Sequence, residues 1–348
     1  MHPELPMPAH FDPHRVGDVW RVPYGELAAA AQAWSQHHQL PSASSDHPTL
    51  ALLIIDAQNT FCIPDFELFV AGRSGDGAVQ DNRRLCEFIY RHLGSISKII
   101  PTLDTHQAFQ IFHPVFWVDE QGNHPHPMTT ITWESVRSGQ WRINPAMVDR
   151  LPQSQDIDLA AYANHYTQVL HDLNKYPLTI WPFHSMLGGI GHALVSAVEA
   201  ACFFHAMARQ VPTQFEIKGY HPLTENYSVL RPEVLDDYNQ QPIADKNRSL
   251  IQSLLTFDAI AIAGQAKSHC VAWTISDLLT EIQAVNPALA QRVYLLEDCM
   301  SPVVVPGVVD FTEAAETQFA AFAAAGMHRV RSTDALSTWP GLGLTTAN

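Results

Sequence analysis

The chain has 348 residues, 46% of them hydrophobic, enough to bury a sizeable core in one large α/β domain or two smaller ones. Lys and Arg number 20 against 35 Asp and Glu, and the formal charge of −15 argues against a nucleic-acid backbone or an anionic membrane as partner; a small substrate fits better. The 5 cysteines (Cys62, Cys86, Cys202, Cys270 and Cys299) are irregularly spaced with no CxxC pair, which disfavours a disulfide framework or a zinc ribbon.

Residues 1–48 are rich in Pro, His, Ser and Ala, with a short helix expected over 25–36 and a polar linker after it. They read as an N-terminal extension that packs on the domain or on a neighbouring subunit. The opening residues show neither a basic start nor an apolar stretch of signal-peptide length, and no later run approaches a membrane span, so a cytoplasmic protein is expected. From Leu50 an apolar run leads to Asp56, a helix is expected near 79–93, and a strand over 98–104 ends at Asp104. Residues 114–176 break this rhythm with aromatic, His- and Pro-rich sequence and a helix expected over 159–174. So long a segment between core elements reads as a cap or interface. Helices follow at 190–209, 248–255, 271–282 and 313–325, with strands at 215–218, 259–263 and 292–296. This alternation predicts right-handed βαβ units: a three-layer α/β/α, Rossmann-like domain with a mainly parallel sheet, a cap-like insertion at 114–176, and a tail at 336–348.

Three polar residues suggest chemistry, and two of them, Asp56 and Cys270, stand at or near the end of an apolar run, where such a fold places it. Asp56 closes an aliphatic run, Lys218 follows Phe-Glu-Ile and precedes Gly219, and Cys270 follows a Gly-containing turn and opens a helix whose unpaired amides favour a thiolate and an oxyanion. Taken singly each has a plainer explanation: a lone thiol is ordinarily inert packing, Asp56 a turn or cap residue, Lys218 a solvated strand end. Together they are the set an amide-hydrolysing cysteine enzyme needs. Cys86 and Cys202 fall inside apparent helices, and Cys62 and Cys299 read as packing thiols.

Four blocks, at 51–62, 103–106, 181–189 and 264–271, with a fifth around Lys218 at 218–228, resemble the isochorismatase-like cysteine hydrolases, most closely the nicotinamidases. The resemblance runs from about Leu50 to Arg331, leaves out much of 114–176, and assigns 49–335 to one hydrolase domain. It implies an Asp–Lys–Cys triad at Asp56, Lys218 and Cys270, with Asp56 the proton acceptor and Cys270 the residue that forms the thioester. It also implies a cis peptide at Ala266–Lys267 that turns amides of Ala266, Lys267 and Cys270 toward an oxyanion.

Asp104 and His106 alternate at the end of a strand and so point into one cleft. The resemblance adds His184 to them as metal ligands, a set that suits Zn²⁺ first and Fe²⁺ or Mn²⁺ otherwise. The nearby His113, His124 and His126 could supply an extra ligand or none, solvated loop residues being the plainer reading. Two departures stand out: Ser185 replaces the cysteine usual in nicotinamidases, and Leu-Gly-Gly follows in place of their Gly-Thr pair. Phe61, Trp117 and Trp181 are expected as apolar walls of the pocket. The reading is metal-assisted, cysteine-dependent hydrolysis of a small carboxamide by a homo-oligomer with no nucleic-acid or membrane partner. The alternatives are another amidase of the family, acting on an N-carbamoyl or maleamate-like substrate, and a noncatalytic binding protein of the same fold.

Overall fold

In a computed structural model, residues 2–148, 150–151 and 157–342 are described; residues 343–348 of the expected tail lie outside them. Six strands form the main sheet: β1 (Leu50–Ile55), β2 (Lys98–Asp104), β3 (Glu216–Lys218), β4 (Ala259–Gly264), β5 (Val293–Leu296) and β6 (His328–Val330). Their spatial order is β6-β5-β4-β1-β2-β3, and every pairing is parallel. The chain therefore leaves β1 toward one edge and β4 toward the other, which makes the gap above β1 and β4 the point where ligands bind in doubly wound sheets. Strand β6 is the one sheet strand absent from the sequence reading, being only three residues at an edge.

The strands read as near-continuous apolar runs because both faces are covered. On β1, Leu50, Leu52 and Ile54 face one core and Ala51, Leu53 and Ile55 the other; on β4, Ala259, Ala261 and Ala263 alternate with Ile260 and Ile262 in the same way. The first core is closed by helices Gly77–Arg91 and Ser196–Arg209. The second is closed by Arg248–Leu254, Ala272–Val285 and Thr312–Ala324. Burying a Leu or Ile side chain contributes roughly 1.5–3 kcal/mol, so these two alternating sets dominate the fold's stability.

The N-terminal segment is part of the first core: Leu5, Val16, Val22, Leu27 and Ala31 are buried in it, and the helix Tyr24–His37 lies on Ser196–Arg209. The 114–176 region joins the second core through Phe116, Ile131, Met147, Tyr162, Tyr166 and Leu170. Two small antiparallel pairs, Trp117–Val118 with Arg142–Ile143 and Thr130–Ile131 with Leu178–Thr179, tie it down. Its helix, Leu159–Asp172, is capped by Asp158, which accepts from the amides of Ala160 and Ala161.

One expected helix starts late. Instead of beginning at 190, the helix opens at Ser196, after a single 3-10 turn at Ile190–His192. Residues 190–195 spend their backbone groups elsewhere: Ile190 and His192 carbonyls accept from Asn59 and Gln58 side chains, and Ala193 O accepts from Asn59 N.

Candidate active site

The carboxyl ends of β1, β2, β3 and β4 deliver Asp56, Asp104, Lys218 and the loop to Cys270 to one point. Two glycines make the approach feasible. Gly264 has φ +116°, and a Cβ there would lie 2.0 Å from Ile55 O; Gly219 has φ +80°, and a Cβ there would lie 2.7 Å from Asp104 Oδ1. Neither position tolerates a side chain. Asp56 itself adopts φ +44°, a conformation that short polar residues reach more readily than others.

Lys218 is the hub. Its Nζ donates to Asp104 Oδ1 at 2.8 Å, to Asn226 O at 2.8 Å and to Cys270 Sγ at 3.6 Å, and it lies 3.0 Å from Asp56 Oδ2. Burial works to lower this ammonium, but Asp104, Asp56 and Cys270 outweigh it and hold it well above the usual lysine range. Asp56 is fully buried; its Oδ1 accepts from Thr102 Oγ1 at 2.5 Å, and Thr102 Oγ1 in turn accepts from Asp56 N at 3.0 Å. Its Oδ2, although close to Lys218, has no aligned hydrogen bond and keeps a lone pair free for the thiol. Burial raises Asp56, with Lys218 opposing and Asp104 adding to the rise. Burial likewise pushes Cys270 well up, against the pull of Lys218 and with Asp56 and Asp104 adding to it. Burial thus favours the neutral thiol and raises the proton affinity of the carboxyl group beside it, the directions that proton transfer from Cys270 to Asp56 calls for.

Cys270 was expected at the start of a helix; it lies one step earlier, in a π-helical turn at Lys267–Val271 that feeds Ala272–Val285. Such turns recur at functional positions. The cis peptide lies one bond before its expected place, at Gln265–Ala266. Lys267 turns away from the cleft: its amide donates to Ser301 O at 2.8 Å, and its ammonium pairs with Glu316 at 2.5 Å. Ala266 and Cys270 remain at the cleft wall.

Beside the triad, Asp104 reaches His106 Nε2 at 3.1 Å and His184 Nε2 at 3.6 Å through Oδ2, while its Oδ1 holds Lys218. The side chain of Gln58 fixes Asp104 by donating to its carbonyl and accepting from its amide, each at 2.8 Å. His113 completes the group. It is wholly buried rather than solvated, and one ligand atom from each of His106, His113 and His184 lies within 4.8 Å of the others. In all three rings Nδ1 faces a backbone carbonyl, of His184, Ala108 and Pro182 respectively, at 3.2, 3.1 and 2.8 Å. A carbonyl only accepts, so Nδ1 carries a proton in each ring, and a neutral ring then keeps its lone pair on Nε2. Nε2 of His106 and of His113 are buried without a hydrogen-bond partner. Burial pushes His106 down to about 4 and His113 to about 3, which keeps both neutral. Three converging imidazoles oriented from behind, two of them neutral and unsatisfied in front, fit a metal ion.

The cleft has a volume of about 290 Å³. Phe61 and Trp181 line it as expected, and Phe61 packs edge-on against His184. Trp117 does not: it is fully buried in the second core, with its indole N–H donated to Ile111 O. Sequence reasoning missed Met128, Glu225, Tyr227 and His269 at the wall. Glu225 is pushed up to about 8, first by burial and then by Asp104. Its position seven residues after Lys218 in a segment already singled out was the available signal; Met128 had none.

No family model matches the chain, and no curated protein matches it. Solved structures do resemble it. A nicotinamidase/pyrazinamidase of Acinetobacter baumanii aligns at 17% identity and TM-score 0.49, covering 83% of this chain and 99% of that one. The yeast nicotinamidase Pnc1p aligns at 18% and 0.47 over 81% of this chain and 99% of that one. A Pyrococcus horikoshii pyrazinamidase in complex with zinc aligns at 16% and 0.43, over 82% and 99%. At such identities and scores the likeness carries no functional argument; the side chains in the cleft do.

Proposed function

We propose that this chain hydrolyses a small carboxamide to carboxylate and ammonia through a cysteine thioester, with a nicotinamide-like heteroaromatic amide as substrate. The observation that carries the reading is the contact of Lys218 Nζ with both Cys270 Sγ, at 3.6 Å, and Asp56 Oδ2, at 3.0 Å, at the floor of an apolar cleft. In the reaction, Asp56 takes the Cys270 proton as sulfur attacks the amide carbon. The tetrahedral oxyanion would be received by backbone amides around Ala266 and Cys270. Asp56 then returns its proton to the departing nitrogen, ammonia leaves, and a thioester remains. Asp56 next takes a proton from the attacking water, the C–S bond breaks, and the proton returns to sulfur as the acid is released. Lys218 stays charged throughout and stabilises whichever of Asp56 and Cys270 is the anion.

His106, His113, His184 and Asp104 would hold a divalent metal, Zn²⁺ by donor set, with Fe²⁺ or Mn²⁺ the alternatives. When bound, such an ion supplies a Lewis-acidic centre that orients a ring nitrogen or water next to the amide.

The test is ammonia release from nicotinamide, pyrazinamide and N-carbamoyl compounds by metal-analysed protein, with Cys270→Ala alongside. Cysteine-dependent release is expected from the heteroaromatic amides. Release that survives in the variant would overturn the mechanism.

A further inference from the structure

The lining of the cleft is mixed: beside the polar groups of Asp104, Lys218 and Glu225 stand the apolar side chains of Phe61, Trp181, Met128, Val303, Val304 and Val305, the last two in a short strand. At about 290 Å³ the space approaches the lower bound of pockets that enclose drug-sized ligands, roughly 300–1,000 Å³, and exceeds what one six-membered ring with an amide would fill. Met128 comes from the 114–176 insertion and is held at the wall by its amide, which donates to Ile180 O at 2.6 Å. The insertion thus gives this pocket a side that the strands of the sheet do not provide.

The charges of the lining are equally directional. Among the described lining residues the one Lys or Arg is Lys218, whose three N–H groups already face Asp104, Asn226 O, Cys270 and Asp56. It has no donor to spare for a ligand carboxylate. Glu67 and Asp104 add carboxylates to the same wall, which repel an anion. A second negative charge on the acyl part would meet a wall whose described residues supply no cationic side chain free to pair with it.

Resting on the amidase reading above, we propose that the cleft selects an uncharged carboxamide whose acyl part carries a bulky apolar substituent, reaching past the first ring to the Met128 and Val303–305 wall. Amides that carry a further carboxylate there are rejected.

The probes are nicotinamide, 5-phenylnicotinamide, and the latter with a para-carboxylate on its phenyl ring. Binding to metal-loaded Cys270→Ala is measured by calorimetry, and ammonia release by the wild-type protein is measured in parallel. The phenyl compound is expected to bind at least 10-fold tighter than nicotinamide and to be turned over with a correspondingly lower KM. Its para-carboxylate is expected to lose at least 10-fold against it. Val304→Trp, at the partly exposed hairpin, should cancel the phenyl advantage, weakening the phenyl compound by a larger factor than nicotinamide, a ratio that a general loss of folding does not produce. Tightest binding by nicotinamide, equal binding of the carboxylate, or binding of none would overturn the proposal. Phenyl-selective binding without ammonia release would leave the selectivity standing and sink the amidase reading; release confined to nicotinamide would do the reverse.

Discussion

Two groups of buried charge sit at opposite ends of the same sheet. At the amino ends of β1 and β2, Arg209 is fully buried, pairs with Asp46, and donates to the carbonyls of Leu93 and Gly94. Asp46 also accepts from Ser97 Oγ at 2.8 Å, and Ser97 Oγ accepts from Leu50 N at 3.0 Å. That group is balanced, one cation to one anion, and its residues line none of the larger cavities. At the carboxyl ends, one ammonium serves two carboxylates and a thiol, imidazole nitrogens are left without partners, and a cleft opens beside them. Burial of charge is therefore no marker of a site. The markers are imbalance and an opening; an unsatisfied atom alone is not one, since Arg209 Nε at the amino end is also buried without a partner.

The contrast is sharpest at the nucleophile. Cys270→Ala should reduce ammonia release by roughly 10⁴-fold or more, as loss of a covalent catalyst does, with little change in the urea midpoint. Next in size, Lys218→Met and Arg209→Met each strand a buried carboxylate, and each should cost about 3–5 kcal/mol of stability. Only the first should abolish turnover; kcat of Arg209→Met should stay within about threefold, given the distance of the pair from the cleft. Adding Asp46→Asn to Arg209→Met should recover part of the lost stability, because neither partner is then charged. Adding Asp56→Asn to Lys218→Met should recover no activity. Equal loss of kcat in both single variants would erase the distinction drawn between the two ends.

The amino-end pair was invisible in the sequence, where Asp46 lies in a polar linker and Arg209 at a helix end. The carboxyl-end cluster was legible because Asp56 and Cys270 stand at or just beyond the ends of apolar runs, with Lys218 in a third strand segment, and a parallel sheet brings such ends together. The runs at 50–55 and 259–264 also gave the strands and their double burial. What escaped depends on tertiary closure. His113 belongs to a His-rich stretch that composition makes look solvated, and it is buried only because the chain turns back at 106–113 and packs Phe112 and Phe183 around the ring. Trp117 was misplaced for the complementary reason: a large aromatic near a site is as readily absorbed by the core.

His113 also sharpens the comparison, since its orphaned Nε2 belongs to a group of three histidines whose ligand atoms lie within 4.8 Å of one another, whereas the unpartnered Arg209 Nε at the amino end has no lone pair to offer a metal. His113→Ala should weaken Zn²⁺ binding by about 100-fold, the scale seen when a group supporting a metal site is lost, as read by competition with a chromophoric chelator. Stability without metal should fall by less than in Lys218→Met, because a neutral ring is removed rather than a charge stranded. Unchanged Zn²⁺ affinity would leave Asp104, His106 and His184 as the whole ligand set.

The smallest effect belongs to the amino end. His205, buried on Ser196–Arg209, places Nε2 2.8 Å from Ile96 O, and burial, with Arg209 contributing, pushes it down to about 4. The unfolded chain binds a proton there near 6.5, so between pH 6.5 and about 4 the unfolded state is the more protonated, and stability falls as pH falls. At pH 5.5 this single residue should cost about 1 kcal/mol relative to pH 7.5. His205→Gln keeps an N–H donor for Ile96 O and removes the titration. Its urea midpoint should therefore lose less on acidification than the wild-type protein's, whatever its absolute value at pH 7.5. Parallel curves for the two would mean that His205 is solvated well enough in the folded state to take up its proton without loss. That outcome would bring water to the amino-end cluster and undo the closure that separates it from the cleft.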